Sequence, residues 1–308
     1  MAIITISRGT MSGGEKLAHL LSEKLGYKCI SREIIIKAAD DYGVEEHKLF
    51  EAINKRPTIL HKLTFEKERY LAFIRASLCE YAKDDNLIYH GHAGHFLLKG
   101  IDHVLKIRII AELPDRIKAA IERNNLSETE AKKYIERVDK ERAKWTKFLY
   151  GEDWTSPKLY DLVINSSHLS IENSIDALVG LVESPRFQTT PESKKAMYNL
   201  LISSRVKAAL ARLPLVNLGY LDIRSDDGKV SISGRSKSQE ITDSIQDTAK
   251  SVAGVKEIKM SVEIDYRSYL FIKNIFMEFY IIRKKYHACY FYITRYDVRG
   301  SGISKTIL

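Results

Sequence analysis

The chain has 308 residues, of which 44% are hydrophobic and 29% charged, and its formal net charge is +9 at pH 7. This length suits two domains, and the composition is that of a globular protein rather than a disordered or fibrous one. No uncharged apolar run approaches the ~20 residues that a membrane-spanning helix requires. The positive charge favours an anionic ligand, but a mononucleotide and a nucleic acid both satisfy it.

The three cysteines, Cys29, Cys79 and Cys289, have neither C-x-x-C spacing nor an even count, which argues against a disulfide framework. The sequence begins with a run that predicts a strand, without the basic segment and apolar core of a signal peptide. These features together predict a cytoplasmic protein.

The first segment is predicted to be a strand, a loop rich in glycine and serine, and a helix. A β-branched run over 3–7 predicts the strand, and leucines at helical spacing from Leu17 predict a helix that stops at Gly26. In such a turn, backbone N–H groups surround an anion at the positive end of the helix dipole. The candidate donor-phosphate site consists of Arg8, Gly9, Thr10, Met11, Ser12, Gly13, Gly14, Glu15, Lys16 and Leu17.

Two positions of this loop depart from the phosphate-loop motif G-x-x-x-x-G-K-[ST]. Gly9 and Gly14 have the spacing of its glycines, but Glu15 stands at the position of the lysine. Lys16 stands at the position of the hydroxyl that binds Mg²⁺. Arg8 and Lys16 are the candidates for supplying the missing positive charge, and the alternative is a glycine-rich turn with no ligand.

The next segments predict an acceptor side. Residues 27–33 predict a short strand and a polar turn, in which Ser31 and Arg32 are candidates for holding an acceptor phosphate. The alternative is a helix cap and a solvated charge. Residues 40–86 are charged and helical in pattern, and they predict an inserted helical region that covers this side.

Three histidines, His90, His92 and His95, lie in an apolar strand and glycine turn over 86–95. Their H-x-H-x-x-H spacing resembles a set of metal ligands, but side chains at these positions diverge, and no Cys, Asp or Glu accompanies them. We therefore expect no metal site here. His92 is expected to face the ligand crevice at the carboxyl end of the strand.

A strand predicted over 103–111 precedes a dense charged segment over 116–142, in which Ser127 and Glu130 form a capping box. If this segment folds over the loop, its arginines converge on triphosphate oxygens. The alternative is a solvated helix with ion pairs between successive turns. The arginines concerned are Arg123, Arg137 and Arg142.

In their order along the chain, these features resemble the cytidylate kinase-like family of P-loop nucleoside monophosphate kinases, over residues 1 to about 183. The segments that carry the resemblance are Ile3 to Arg8 with Ser12-Gly13-Gly14, Leu25-Gly26-Tyr27, Ile30-Ser31-Arg32-Glu33, Tyr89 to Gly94, Arg137-x-Asp139-x-x-Arg142, and Tyr160-Asp161-Leu162-Val163-Ile164-Asn165. The resemblance implies a three-layer α/β fold with a parallel sheet, ATP with Mg²⁺ as donor, a nucleotide acceptor, and a mobile lid.

The resemblance also implies roles for individual residues. It assigns the donor phosphates to Gly9 to Lys16, the acceptor to Ser31, Arg32 and His92, and catalysis to Lys16, Arg137, Asp139 and Arg142. Cytidylate kinases proper have a loop lysine where this chain has Glu15, and an arginine where it has His92. Because a charged hydrogen bond contributes ~1.5 to 3 kcal/mol, the loss of the loop lysine costs about tenfold to a hundredfold in binding. The alternative function is a nucleotide-binding regulator without turnover.

The second half predicts a separate module. We predict a kinase-like domain over 1–184, a linker over 185–192, and a small α+β domain over 193–265. The αββαβ order of the small domain resembles the BON domain, a module associated with binding lipid or other ligands. Residues 266–308 form an aromatic and basic extension for which a nucleic-acid role is not expected, because no recognisable binding module accompanies it.

Overall fold

The computed structural model describes residues 2–54 and 66–265. The predicted extension over 266–308 lies outside these residues. In the first half the elements are β1 (Ile3–Arg8), α1 (Gly14–Leu25), β2 (Lys28–Ile30), α2 (Glu33–Tyr42), α3 (Glu46–Asn54), α4 (Glu66–Ala82), β3 (Leu87–Tyr89), α5 (Gly94–Leu97), β4 (Val104–Ile110), α6 (Leu113–Asn124), α7 (Glu128–Tyr150), β5 (Leu162–Asn165) and α8 (Ile171–Glu183). In the second half they are α9 (Pro191–Ala211), β6 (Leu221–Asp226), β7 (Lys229–Ser236), α10 (Gln239–Lys250) and β8 (Glu257–Ile264).

The first half is built on a parallel five-stranded sheet with the strand order β2-β3-β1-β4-β5. The central strands are almost continuously apolar, because helices cover the sheet on both faces. In β1, Ile4 lies beside Ile88 of β3 and Leu105 of β4. This arrangement confirms the predicted α/β fold, and it brings the carboxyl ends of β1, β3 and β4 together at one edge, where α/β proteins bind ligands.

The turn from β1 into α1 requires glycine at two positions. Gly13 has a φ of 84°, and a Cβ atom there would lie 2.5 Å from the Cδ1 atom of Ile171. A Cβ atom on Gly14 would lie 2.8 Å from the side chain of Arg8. The shape of the loop is therefore set by the absence of side chains, as its sequence predicts.

The second half contains a three-stranded sheet with the order β6-β7-β8. β6 and β7 form an antiparallel hairpin through Asp227 and Gly228, and β8 joins β7 in parallel after the crossover helix α10. The helix-strand-strand-helix-strand order is the predicted one. Within the described residues, no helix is long and apolar enough to cross a membrane.

The two halves share a hydrophobic core, because α9 lies along α4. Buried residues of both helices, among them Phe73 and Ala76 of α4 and Leu201 and Val206 of α9, belong to one cluster. The segment predicted as a linker is not a free tether: Phe187 is buried, and α9 starts inside that segment at Pro191. Thr190 provides the capping box that starts the helix early.

An ion pair adds to this contact. The Nε and Nη2 atoms of Arg205 on α9 donate to the carboxylate oxygens of Glu80 on α4, at 2.5 and 2.9 Å. Both side chains are mostly buried, with 26% of Arg205 and 22% of Glu80 exposed. This two-pronged geometry is the one in which a partly buried ion pair stabilises a contact measurably.

We expect a double-mutant cycle on Glu80→Ala and Arg205→Ala to give a coupling free energy of unfolding of about 1 kcal/mol. The pair between Lys195 and Asp226 is the matched control, because 55% and 75% of these side chains are exposed. Its cycle is expected to give about 0 to 0.5 kcal/mol. Urea unfolding measures both cycles, and equal couplings would show that the helix contact does not use the Glu80 pair.

Candidate functional site

The loop between β1 and α1 is closed onto the end of β4. The Gly9 N–H donates to the Ile109 carbonyl at 3.1 Å, and the buried Ser12 hydroxyl lies 2.8 Å from the Gly9 carbonyl and 3.0 Å from that of Ile109. Gly13 caps α1 and brings no side chain to the N–H groups of the first helical turn. These groups and the helix dipole make the start of α1 suited to an anion.

A cavity of about 610 Å³ opens above this loop, between the loop and the helices α6 and α7. Four cationic side chains and one carboxylate border it, so its charge favours an anionic ligand. Its size is within the range of pockets that bind small molecules. The lining residues are Arg8, Thr10, Met11, Ser12, Gly13, Gly14, Glu15, Lys16, His19, Ala119, Arg123, Asn124, Tyr134 and Arg142.

One carboxylate, that of Asp139, fastens α7 to the loop. Its Oδ1 atom accepts from the Thr10 N–H at 3.1 Å and from the Thr10 hydroxyl at 2.7 Å. Arg116 of α6 donates to Oδ2 of Asp139 and also, through Nε, to the Thr10 carbonyl at 2.7 Å. The helices α6 and α7, called the lid helices below, therefore both meet the loop at Thr10. No role for Arg116 was predicted from the sequence, because its contact with Thr10 spans 106 residues.

Arg142 lies one helical turn after Asp139 and also reaches the loop. Its Nη1 atom donates to the Arg8 carbonyl at 3.1 Å and to the Thr10 hydroxyl at 3.2 Å. Burial lowers the pKa of Arg142 to about 10, so the guanidinium stays charged at neutral pH. Its Nε atom is buried and has no hydrogen-bond partner among the described residues. This atom is an unused donor beside the loop.

Arg137 does not join this group. Its side chain is exposed, and its guanidinium lies 6.0 Å from the ring centroid of Tyr134. It is not among the residues that border the cavity. Of the three residues in the predicted lid motif, the structure brings Asp139 and Arg142 to the loop and leaves Arg137 outside it.

The two residues that depart from the phosphate-loop motif have different partners. Glu15 accepts a hydrogen bond from Nη1 of Arg123 at 2.7 Å, and this bond lowers the pKa of the Glu15 carboxyl, which is therefore ionised at neutral pH. The ammonium of Lys16 forms an ion pair with Glu172 of α8, and both side chains are more than half exposed. The predicted phosphate-binding role of Lys16 stays a prediction.

The predicted acceptor residues lie at the ends of β2 and β3. The Ser31 hydroxyl donates to the His90 carbonyl at 2.9 Å, which ties the turn after β2 to the end of β3. The Arg32 guanidinium is exposed and pairs with Glu46 of α3 at 2.8 Å. A phosphate at this position would therefore compete with a carboxylate for Arg32.

His92 is surrounded by aromatic side chains. Its ring lies 4.5 Å from that of Trp145 and 6.1 Å from that of Trp154, centroid to centroid. Burial, with the charge of Arg142, holds the pKa of His92 well below its ordinary value, so the ring is neutral at physiological pH. Its Nε2 atom is buried without a hydrogen-bond partner among the described residues. A neutral ring can donate or accept one hydrogen bond, but it cannot replace an arginine as a cation.

His90 is a site residue that the sequence analysis considered only as a metal ligand. Its Nδ1 atom lies 2.9 Å from Nη1 of Arg8 and accepts from that guanidinium. Burial, with the charge of Arg8, lowers the pKa of His90 to about 4. His90 is therefore neutral at physiological pH, and it fixes the direction of the Arg8 side chain.

The residues present do not form a resident Mg²⁺ site. Within residues 2–54 and 66–265, no group of three or more His, Cys, Asp or Glu side chains is placed to hold a metal ion. Lys16 stands where the motif has a hydroxyl ligand, and the carboxylates of Glu15 and Asp139 are paired with arginines. A Mg²⁺ ion bound by either carboxylate would have to displace the arginine that pairs with it.

We expect Asp139→Ala to lower the free energy of unfolding by about 1 to 3 kcal/mol, because it leaves Arg116 and the Thr10 N–H without their shared acceptor. Arg116 is only 14% exposed, so water compensates little of the loss. Glu136→Ala, on the exposed face of the same helix, is the control and is expected to change stability by less than about 0.5 kcal/mol. Equal effects of the two variants in urea unfolding would contradict the anchoring role of Asp139.

Comparison with known proteins identifies both halves. Residues 3–168 match the model of the cytidylate kinase-like family, and residues 200–266 match that of the BON domain. A cytidylate kinase from Sulfolobus acidocaldarius is 30% identical over 184 residues, which are 58% of this chain and 93% of that protein. A cytidylate kinase from Ignicoccus hospitalis is 26% identical over 181 residues, which are 58% of this chain and 97% of that protein.

Among solved structures, an uncharacterized protein from Eubacterium ventriosum is 20% identical, with a TM-score of 0.46 over 60% of this chain and 99% of that one. A likeness at this level does not establish a common fold, and the fold assignment depends on the strand order and the loop described above. Together with that fold, the sequence matches are sufficient: the chain belongs to the cytidylate kinase-like family and carries a BON domain in its second half.

Proposed function

We propose that this protein is a nucleoside monophosphate kinase, which transfers the γ-phosphoryl group of ATP to a nucleotide of the cytidylate class. The observation that carries the proposal is the cavity of about 610 Å³ between the glycine-rich loop and the lid helices, which four cationic side chains border. Its position at the carboxyl edge of a parallel sheet is where nucleotide phosphates bind in this class of fold. The relatives named above support the choice of acceptor.

In this mechanism the loop from Gly9 to Lys16 holds the donor phosphates through backbone N–H groups at the start of α1. The Ser12 hydroxyl keeps the loop closed instead of binding phosphate, because it lies between the Gly9 carbonyl of the loop and the Ile109 carbonyl of β4. We treat Mg²⁺ as part of the MgATP substrate, since the residues that the structure describes do not form a site of their own for it. Bound with ATP, the ion supplies charge neutralisation on the phosphates.

The acceptor lies on the other side of the β1 edge, near Ser31, Arg32 and His92. No protein base is required, because a nucleotide phosphate is already the nucleophile at neutral pH. Arg32 approaches the acceptor phosphate by exchanging Glu46 for it. His92, neutral beside Trp145, makes a hydrogen bond to the acceptor rather than a charge contact.

The lid residues act on the group in transfer. Arg142 already touches the loop at the Arg8 carbonyl, and its unused Nε donor can bind a phosphoryl oxygen. Asp139 holds Arg116 and the loop together, and in this way it positions Arg142 without contacting the substrates itself. For Arg137 to take part, it must leave the Tyr134 ring and turn toward the cavity when the lid closes over bound nucleotide.

The proposal extends to the BON domain and to the compartment. We propose that the BON domain is a binding or regulatory module, and its first helix, α9, packs on α4 of the acceptor-side region. We expect the protein to act in the cytoplasm, where its nucleotide substrates are found.

The test is ADP formation from MgATP by the full chain, against a panel of CMP, dCMP, UMP, AMP and GMP. We expect turnover that depends on the acceptor and is fastest with CMP or dCMP. Nucleotide binding without turnover against any acceptor would favour the regulator, for which the presence of Glu15 in the cavity is the supporting observation. The absence of both binding and turnover would reject the kinase and the regulator.

For the lid, we expect Arg142→Ala to lower kcat by about a hundredfold or more, the cost of removing one donor to developing charge. Arg142→Lys is expected to recover part of the loss, because a lysine keeps the charge but not the fork of donors. Lys140→Ala, exposed on the same helix, serves as the control. A kcat for Arg142→Ala close to that of the control would exclude Arg142 from the reaction.

A further inference from the structure

The position where phosphate loops carry lysine is linked to the lid by an ion pair. Glu15 occupies this position, and its Oε2 atom accepts from Nη1 of Arg123 at 2.7 Å. Glu15 belongs to the first turn of α1, and Arg123 to the last turn of α6. Both side chains border the cavity above the loop. The guanidinium of Arg123 is therefore held next to the place of the missing ammonium.

The other cations of the cavity have different tasks. Arg8 donates to His90 and packs over Gly14, so its guanidinium is directed toward the end of β3. The ammonium of Lys16 pairs with Glu172 of α8. Arg142 donates to a carbonyl and a hydroxyl of the loop itself. Each of these three cations is therefore bound to a partner that lies away from the position of the motif's lysine.

Arg123 can bind a second anion without giving up the first. A guanidinium has five N–H donors in a planar fork, and within the described residues the contact to Glu15 uses only one of them. The side chain is 62% exposed, so the pair with Glu15 holds it loosely and allows it to turn toward a ligand. Without Arg123, the ionised Glu15 would keep only the weaker charge interaction with Arg8 and would repel a bound phosphate more strongly.

We propose that Arg123 supplies from the lid the positive charge that phosphate loops carry on their lysine, and that Glu15 is the residue that aims it. This inference rests on the proposed function, since it concerns the donor phosphates of the same cavity. Glu15 keeps one N–H of the guanidinium, and the remaining donors bind oxygens of the donor polyphosphate. Because Arg123 belongs to α6, binding of the polyphosphate also draws the end of that helix onto the loop.

The test measures binding rather than turnover, by titrating the full chain with MgATP and with inorganic tripolyphosphate in a calorimeter. We expect Arg123→Ala to weaken both ligands by about tenfold or more, which is the effect of losing one charge-assisted hydrogen bond. Lys118 is an exposed cation of the same helix, and it does not border the cavity. The affinity of Lys118→Ala for both ligands is therefore expected to stay within about twofold of that of the wild type.

A rescue variant separates a charge role from a structural one. Glu15→Lys restores the lysine of the motif and removes the carboxylate. We expect the double variant Glu15→Lys/Arg123→Ala to bind within about threefold of the wild type, because the loop then carries its own cation. Circular dichroism and thermal melting are used to check that each variant is folded. A lysine cannot bind two anions in one plane, so the affinity of Arg123→Lys is expected to lie between that of Arg123→Ala and that of the wild type.

The outcomes are distinguishable. If the wild type binds neither ligand, the proposed function fails and this inference fails with it. If the wild type binds but Arg123→Ala matches Lys118→Ala, only the inference fails, and a large loss in Lys16→Ala would assign the charge to Lys16 instead. A loss in Arg123→Ala that Glu15→Lys does not recover would show that Arg123 acts through the structure of α6 and would also overturn the proposal.

Discussion

The carboxylate of Asp139 is the contact on which the rest of the site depends. Arg8, Arg116 and Arg142 lie close enough to one another that Arg8 and Arg116 both lower the pKa of Arg142, whereas Asp139 raises it. Three neighbouring guanidinium groups repel each other unless an anion lies among them. Asp139 is that anion in this structure. Because it also accepts from the Thr10 N–H, the same carboxylate that reduces the repulsion between the arginines holds α7 to the loop.

Helix geometry explains which lid residues could be predicted together. Asp139 and Arg142 are three positions apart, so they project from the same face of α7 and both reach the loop. Arg137 is two positions before Asp139, about 200° around the helix, and projects away from the loop. The parallel sheet and the glycine loop could likewise be predicted, because continuous apolar runs and the need for residues without side chains are local properties of the sequence.

The contacts between distant residues at the loop could not be predicted in the same way. Arg116 and Thr10 are 106 residues apart, and Arg123 and Glu15 are 108 residues apart. Their meeting depends on how α6 lies over the sheet, and no spacing in the sequence encodes it. Lys16 shows the same limit: adjacent to Glu15, it projects toward α8 instead of α6, since successive residues of a helix differ in direction by about 100°.

Neighbouring turns of α7 are held by different forces. The buried Trp145 packs at a tilt against His92 and donates its indole N–H to the Ala52 carbonyl at 2.7 Å, so this turn belongs to the acceptor-side core. In the turns just before it, Asp139 and Arg142 hold the helix to the loop through charges that salt and anions weaken. Under the proposed function, a polyphosphate in the cavity would compete with these ionic contacts and leave the aromatic contact in place. α9 packs on α4 in the same core as Trp145, so the second half of the chain adds to the stability of the aromatic contact.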